Sequence, residues 1–220
     1  MTGLKAAVSG PGVPTVLVTG FEPFGDEREN PSAWAAELAA AELAKAGFDA
    51  YSAVLPVSFK RCGEELARLL EQLKPSVAVA LGLSGGVTHV RLERVALNLM
   101  DASRPDNDGA QPVDEPIDPS GPVAYFSTLP LRMILERLRS EGVPTAISNS
   151  AGTFLCNYAM YVLLRYADLH SYPRRAGFIH LPYTPEIASR KPGPPASLPL
   201  SLQARAAVVA VEEAAASLTP

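Results

Sequence analysis

Cysteine and histidine are scarce in this chain, with two and three residues respectively among 220. Two cysteines, Cys62 and Cys156, build no disulfide framework, and three histidines leave no Cys/His spacing for a structural metal. Each cysteine is therefore expected as a thiol. Uninterrupted apolar runs of about 18 residues, the length that spans a bilayer, are also missing. The opening segment 1–13 (MTGLKAAVSGPGV) lacks the apolar centre of a signal peptide and reads as a flexible N-terminal extension. A cytoplasmic location away from membranes is the expectation. Nor is there a basic stripe: 19 Lys and Arg stand against 23 Asp and Glu, a net charge of -4, so nucleic acid is not an expected partner. With no internal repeat, and 47% hydrophobic residues to fill a core, 1–220 is read as a single domain.

What the chain does have is alternation of strand and helix. Residues 15–19 (TVLVT) form a β-branched run stopping at Gly20, expected as a buried first strand. Asn30-Pro31-Ser32 opens an Ala-rich helix through Lys45, ended by Gly47. A strand is expected over 50–57, an amphipathic helix over 59–73 with Cys62 near its start, and a strand over 77–81 (VAVAL). Residues 87–98 (VTHVRLERVALN) alternate apolar and polar and are read as one further strand carrying His89, Arg91, Glu93 and Arg94. Helix 129–140, strands 145–148 and 177–182, and helix 200–218 complete the series. Such alternation predicts a mainly parallel sheet with helices on both faces. Residues 100–121, rich in Pro, Asp and Gly, form a long loop of the kind that serves as a lid or binding loop or is disordered.

Chemistry concentrates at strand ends in such a sheet. Residues 146–160 (AISNSAGTFLCNYAM) run from a strand through a small polar turn into a helix with Cys156 near its start, and Ser150 and Thr153 are both candidate N-caps. Unpaired N–H groups and partial positive charge at a helix start favour a thiolate and can hold an oxyanion. Taken alone, Cys156 reads first as a packing residue. Glu93 reads as a solvated strand charge paired with an arginine or as a catalytic carboxylate, and His180 as a core histidine or a base. Phe21 and Phe24, in the loop after the first strand, line a ligand crevice or cover the core. His170, in a polar segment, is expected at the surface. The turn Gly82-Leu83-Ser84-Gly85-Gly86 lacks the lysine of a phosphate loop. A thiol, an imidazole and a carboxylate are together the set that nucleophilic cysteine chemistry requires.

Five segments carry a resemblance. VLVTGFEPFG at 16–25 with Asn30-Pro31-Ser32, LERVALN at 92–98, PDNDGAQPVDEPI at 105–117, SNSAGTFLCN at 148–157 and GFIHLPYTPE at 177–186 together resemble the pyrrolidone-carboxylate (pyroglutamyl) peptidases of type I. The resemblance implies a three-layer α/β/α sandwich around a twisted, mainly parallel mixed sheet. It also implies a homotetramer, hydrolysis without a cofactor, and peptides with an N-terminal pyroglutamate as the partners. Cys156 would be the nucleophile, His180 the base and then acid, and Glu93 the carboxylate that orients the histidine. Phe21 and Phe24 would sandwich the lactam ring, with Phe154 and Leu155 beside the nucleophile and Asn30 as a polar contributor. Two departures stand out. Members commonly carry Gly-Gln-Ala-Gly-Gly where this chain has Leu83 in place of the amide. They read Asp-Ala-Arg-Ile-Pro-Asp-Asn where this chain reads Asp101-Ala102-Ser103-Arg104-Pro105-Asp106-Asn107, which moves the arginine one place to Arg104, a candidate loop contact. A same-fold cysteine hydrolase with shifted N-terminal specificity and a non-catalytic binding descendant are the alternatives. A nucleoside-phosphorylase-like activity is more distant, since no phosphate-cradling cluster is visible.

Overall fold

The computed structural model describes residues 13–218, so all but Val13 of the expected N-terminal extension lies outside the described residues. In chain order the elements are β1 (Thr15–Phe21), α1 (Pro31–Lys45), β2 (Asp49–Leu55), α2 (Phe59–Leu73), β3 (Val77–Leu83), β4 (Val90–Glu93) and β5 (Val95–Leu97). There follow β6 (Ala124–Phe126), α3 (Leu131–Ser140), β7 (Thr145–Ser148), α4 (Leu155–His170), β8 (Arg175–Leu181), the short α5 (Pro185–Ala188) and α6 (Leu200–Ala216).

Six strands form one sheet in the order β2-β1-β3-β8-β4-β7. The first four run parallel, β4 runs antiparallel to β8, and β7 runs parallel to β4. The expectation of a mainly parallel mixed sheet holds, with a single antiparallel seam between β8 and β4.

Period-two alternation divides the apolar residues between two layers. Val16, Val18, Val77, Val79, Leu81, Val90, Leu92, Ile179 and Leu181 pack with α1, α3 and α6. Leu17, Phe21, Ala78, Ala80, Ala176 and Phe178 face the opposite way, toward α2 and α4. The same parity decides the polar residues: on β8 His180 follows Phe178, and on β4 Arg91 and Glu93 alternate with Val90 and Leu92. All three side chains therefore project on the α4 side. Each fully buried Leu in these layers stabilises the fold by about 1.5–3 kcal/mol relative to exposure.

Asn30 caps α1, its Oδ1 accepting from Ser32 N at 3.2 Å, with Pro31 in the first turn where a missing N–H costs nothing. Gly20 makes the close approach of α1 possible, because a Cβ there would sit 2.3 Å from the Ser32 carbonyl oxygen.

The segment 87–98 is not one strand. Its pairing changes at Arg94, whose N–H donates to Ser148 O at 2.8 Å while its C=O accepts from Ser127 N at 2.9 Å. Beyond that point β5 leaves the main sheet and pairs antiparallel with β6. Two polar residues in succession, Glu93 and Arg94, break the alternation at the switch, and the run Val95-Ala96-Leu97 that follows is apolar throughout. His89 precedes β4 and meets Thr88 Oγ1 at 3.1 Å.

The 100–121 loop is held against the body by its own polar side chains. Asp106 is buried and accepts from Phe59 N at 2.8 Å, Asp108 N at 2.9 Å and Ala110 N at 2.8 Å. Asn107 Nδ2 donates to Glu22 Oε1 and Pro23 O, each at 2.9 Å, and Met100 and Glu115 exchange backbone bonds. Among the described residues no helix is long and apolar enough to cross a membrane.

Candidate active site

Cys156 is the second residue of α4, half-buried, and neither Ser150 nor Thr153 caps that helix. Phe154 occupies the N-cap position without a side-chain hydrogen bond. Ser150 Oγ instead accepts from Gly152 N at 3.1 Å, and Thr153 Oγ1 donates to Asp101 O at 2.7 Å. Both hydroxyls are spent on shaping the turn and tying it to the long loop. The first-turn amides of α4 are thus left facing the site, where a helix start best holds negative charge.

The start of α4 is fixed from behind by Asn157, which is fully buried. Its Oδ1 accepts from Leu97 N at 2.8 Å, and its Nδ2 donates to Leu97 O at 2.9 Å and Leu99 O at 3.0 Å. A side-chain amide here stands in for a neighbouring strand, locking the helix to β5 one residue from the sulfur.

His180 Nδ1 lies 2.8 Å from Glu93 Oε1, with both side chains buried. That contact occupies one ring nitrogen and leaves Nε2 available to Cys156, whose charge and hydrogen bonding act on the imidazole. Burial pulls the imidazole pKa down, but the charge and hydrogen bond of Cys156 and then those of Glu93 outweigh it and push it up to about 9. The three residues singled out from the sequence are therefore brought together in the order sulfur, imidazole, carboxylate. Glu93 Oε2 has no hydrogen-bond partner among the described residues. Arg91 adds a fourth group, with Nε 3.7 Å from Glu93 Oε1.

Beside the sulfur, Phe21, Phe24, Asn30, Val57, Leu83, Phe154, Leu155 and Cys156 line a small, mostly apolar pocket. Its walls are braced by ring contacts: Phe24 to Phe154 at 6.4 Å, Phe59 edge-on to Phe154 at 5.5 Å, and Phe21 to Phe178 at 6.4 Å. Gly82 is required here, since a Cβ would meet Phe178 Cζ at 2.7 Å and Cys156 Sγ at 2.9 Å.

All five expected pocket residues line this space, but the amide of Asn30 is largely committed elsewhere. Its Oδ1 accepts from Ser32 N and Ser32 Oγ, and its Nδ2 donates to Glu22 O at 3.0 Å. One N–H remains for a ligand. Arg104 is not among the lining residues; its Nη1 lies over Gly25, 3.2 Å from where a Cβ would sit, and its charge faces Glu27. Val57 and the bracing Phe59 are additions. They follow the carboxyl end of β2, and the strand-end reasoning that singled out Phe21 applies equally there. Cys62 is buried, packs in the core under Tyr158 and has its thiol pKa raised by burial and then by Cys156, so the packing reading stands. His170 is exposed and stacks against Tyr166 at 4.1 Å.

Comparison with known proteins agrees with this architecture. The profile described as pyroglutamyl peptidase matches residues 14–217. The chain is 44% identical over 203 residues to the pyrrolidone-carboxylate peptidase of Pyrococcus furiosus, covering 90% of this chain and 97% of that sequence. It is 50% identical over 179 residues to that of Chromobacterium violaceum, covering 81% and 82%. The crystal structure of the Pyrococcus furiosus pyrrolidone carboxyl peptidase superposes with a TM-score of 0.86 at 42% identity, covering 93% of this chain and 99% of that one. The Thermococcus litoralis pyrrolidone carboxyl peptidase superposes with a TM-score of 0.84 at 40% identity, covering 94% and 95%. With nearly its whole described length matched in both sequence and fold, this chain belongs to the pyroglutamyl peptidase family of cysteine peptidases.

Proposed function

We propose that the chain hydrolyses the peptide bond after an amino-terminal pyroglutamyl residue, with Cys156 as nucleophile, His180 as base and then acid, and Glu93 as the group that sets the imidazole tautomer. The observation that carries the reading is the 2.8 Å contact of His180 Nδ1 with Glu93 Oε1, which turns the other ring nitrogen toward a sulfur at the edge of an apolar pocket. In this scheme the thiolate attacks the pyroglutamyl carbonyl carbon and the developing oxyanion sits against the first-turn amides of α4. The imidazolium gives its proton to the departing amine, leaving a thioester. Water, deprotonated by the same imidazole, then releases pyroglutamate and restores the thiol. No step calls on a metal or a cofactor.

The pocket suits the group to be held. A pyroglutamyl ring is small, flat and uncharged, and Phe21, Phe24, Phe154 and Leu155 offer it apolar walls, with the free N–H of Asn30 as a polar contact. Leu83 takes a place where an amide is common in the family, so part of the lactam's recognition falls to backbone groups. Arg104, over Gly25, stands at the rim. A peptide substrate, action as a single domain in a reducing, cytoplasmic setting and assembly as a homotetramer complete the reading.

A pyroglutamyl-arylamide assayed with and without thiol alkylation tests it: cleavage abolished by alkylation is expected. A panel of free and otherwise blocked amino termini serves as the control, and preference for another acyl group would replace this substrate assignment. Size-exclusion chromatography with light scattering reads the assembly.

A further inference from the structure

Arg91 lies directly opposite His180 across the β4–β8 seam. Its guanidinium, about one-third exposed, reaches in two directions. Nη2 donates to Ser148 Oγ at 2.8 Å, and Nε lies 3.7 Å from Glu93 Oε1, the same oxygen that His180 Nδ1 engages at 2.8 Å. Ser148 in turn shapes the first step of the cysteine turn, its Oγ donating to Ser150 O at 3.2 Å and accepting from Ser150 N at 3.4 Å.

We propose that Arg91 is a positioning residue of the proposed reaction, sharing one carboxylate oxygen of Glu93 with His180 and tying that carboxylate to the foot of the cysteine turn, so that the imidazolium keeps a proton it can still hand to the departing amine. The claim rests on the cysteine-peptidase reading above. Its logic is electrostatic. A carboxylate facing only an imidazolium in a buried site strengthens the hold on the proton, whereas a second cation on the same oxygen draws off part of that field. An acid that holds its proton too tightly protonates the leaving group poorly.

The charged and titratable groups around the imidazole are few. The β4 strand brings Glu93 and Arg91, and α4 brings Cys156. From β3 come Gly82 and Leu83, neither titratable, and Arg94 at the end of β4 turns its Nη1 to Asn149 Oδ1 at 3.0 Å. Arg91 is thus the cation placed on the dyad's shared oxygen. A strand ion pair of purely structural value would leave the titration of His180 untouched.

The test is an NMR titration of the imidazole ring, with the His180 signal assigned by its loss in His180→Gln. Arg91→Met removes the charge, Arg91→Lys returns it, and Ser148→Ala cuts the tether while leaving the charge. Arg91→Met is expected to move the His180 midpoint upward by about half a unit to one unit. It should also lower kcat on a pyroglutamyl-arylamide several-fold at pH 7 with KM unchanged, because Arg91 does not line the ring pocket. Arg91→Lys should restore both, and Ser148→Ala should leave the midpoint in place. If Arg91→Met melts before it can be titrated, Arg91→Gln removes the same charge with a donor retained. An unmoved midpoint in a folded charge-removed variant, or an equal shift in Ser148→Ala, overturns the proposal. A wild type that titrates as described but cleaves no pyroglutamyl substrate would instead sink the peptidase reading and leave the role of Arg91 toward the imidazole standing.

Discussion

Glu93 and His180 are diagonal neighbours across the antiparallel β4–β8 seam: Glu93 is opposite Phe178, His180 is opposite Arg91, and the two side chains close the diagonal at 2.8 Å. Residues offset by two in adjacent strands share a face and lie within reach of long side chains. The dyad therefore follows from strand register, which a one-residue slip would destroy by turning one partner to the other side of the sheet.

Replacing the carboxylate should change how stability depends on pH. The folded-state pKa of His180 is raised to about 9 from the ordinary 6.5, so its contribution is complete below about 6.5 and is lost as pH rises through about 9. Glu93→Gln removes one of the raising partners. Its deficit against wild type should be about 1–3 kcal/mol at pH 6.5 and should shrink above pH 9, as read from melts at the two pH values. Turnover should fall roughly 10³- to 10⁴-fold, the scale a mis-set tautomer produces in other triads.

Cys156→Ser should abolish hydrolysis to within roughly 10⁻³ of wild type or less, since a hydroxyl in this setting lacks the thiolate's nucleophilicity. It carries a second signature. The charge and the hydrogen bond of Cys156 both raise the His180 pKa, so the imidazole midpoint should drop well below about 9 in an NMR titration.

Gly82→Ala tests the sulfur's seat rather than its chemistry. The added Cβ would sit 2.9 Å from Cys156 Sγ and 2.7 Å from Phe178 Cζ, so one of them must move. Displacing the reacting atom by a fraction of an ångström should lower kcat by roughly ten- to a hundred-fold, with circular dichroism unchanged. Wild-type turnover in this variant would show that the sulfur has slack.

Asn157→Ala removes the amide that satisfies Leu97 N, Leu97 O and Leu99 O at the base of α4. Buried backbone groups left without partners cost about 1–3 kcal/mol each when water cannot reach them. A loss of roughly 2–4 kcal/mol in denaturant unfolding is expected, accompanied by reduced kcat as the helix start loosens.

Phe24→Ala should act on binding. It opens one wall of the ring pocket and removes the partner of Phe154, so KM for a pyroglutamyl substrate should rise about ten-fold or more while kcat changes less. An unchanged KM would place the ring elsewhere.

Much of this architecture was legible in the residues. Apolar runs and period-two alternation located the main-sheet strands, and Asn30-Pro31-Ser32 marked the start of α1 where the structure has it. The misses share a cause: they depend on what a segment meets, which local pattern does not encode. The split at Arg94 is marked only by two polar residues in succession, Glu93 and Arg94, which does not reveal that β4 and β5 pair with different partners. Ser150 and Thr153 have N-cap chemistry but find better acceptors and donors in the turn and at Asp101. Asn30 was legible both as a cap and as a pocket residue, and only its full set of bonds shows that the cap takes most of the amide. The role argued for Arg91 depends on a register between strands whose residues are nearly ninety positions apart.

The last strand of the chain, β8, occupies an interior position in the sheet and is the one element joining β1, β2 and β3 to β4 and β7. During synthesis from the amino terminus, the sulfur at position 156 leaves the ribosome before the imidazole at 180, and before the strand exists that unites the two halves. A nascent or truncated chain ending short of Arg175 carries the sulfur without its proton partner. One strand thus supplies both the imidazole that faces the sulfur and the only hydrogen-bonded bridge, among the described strands, between the two parts of the main sheet.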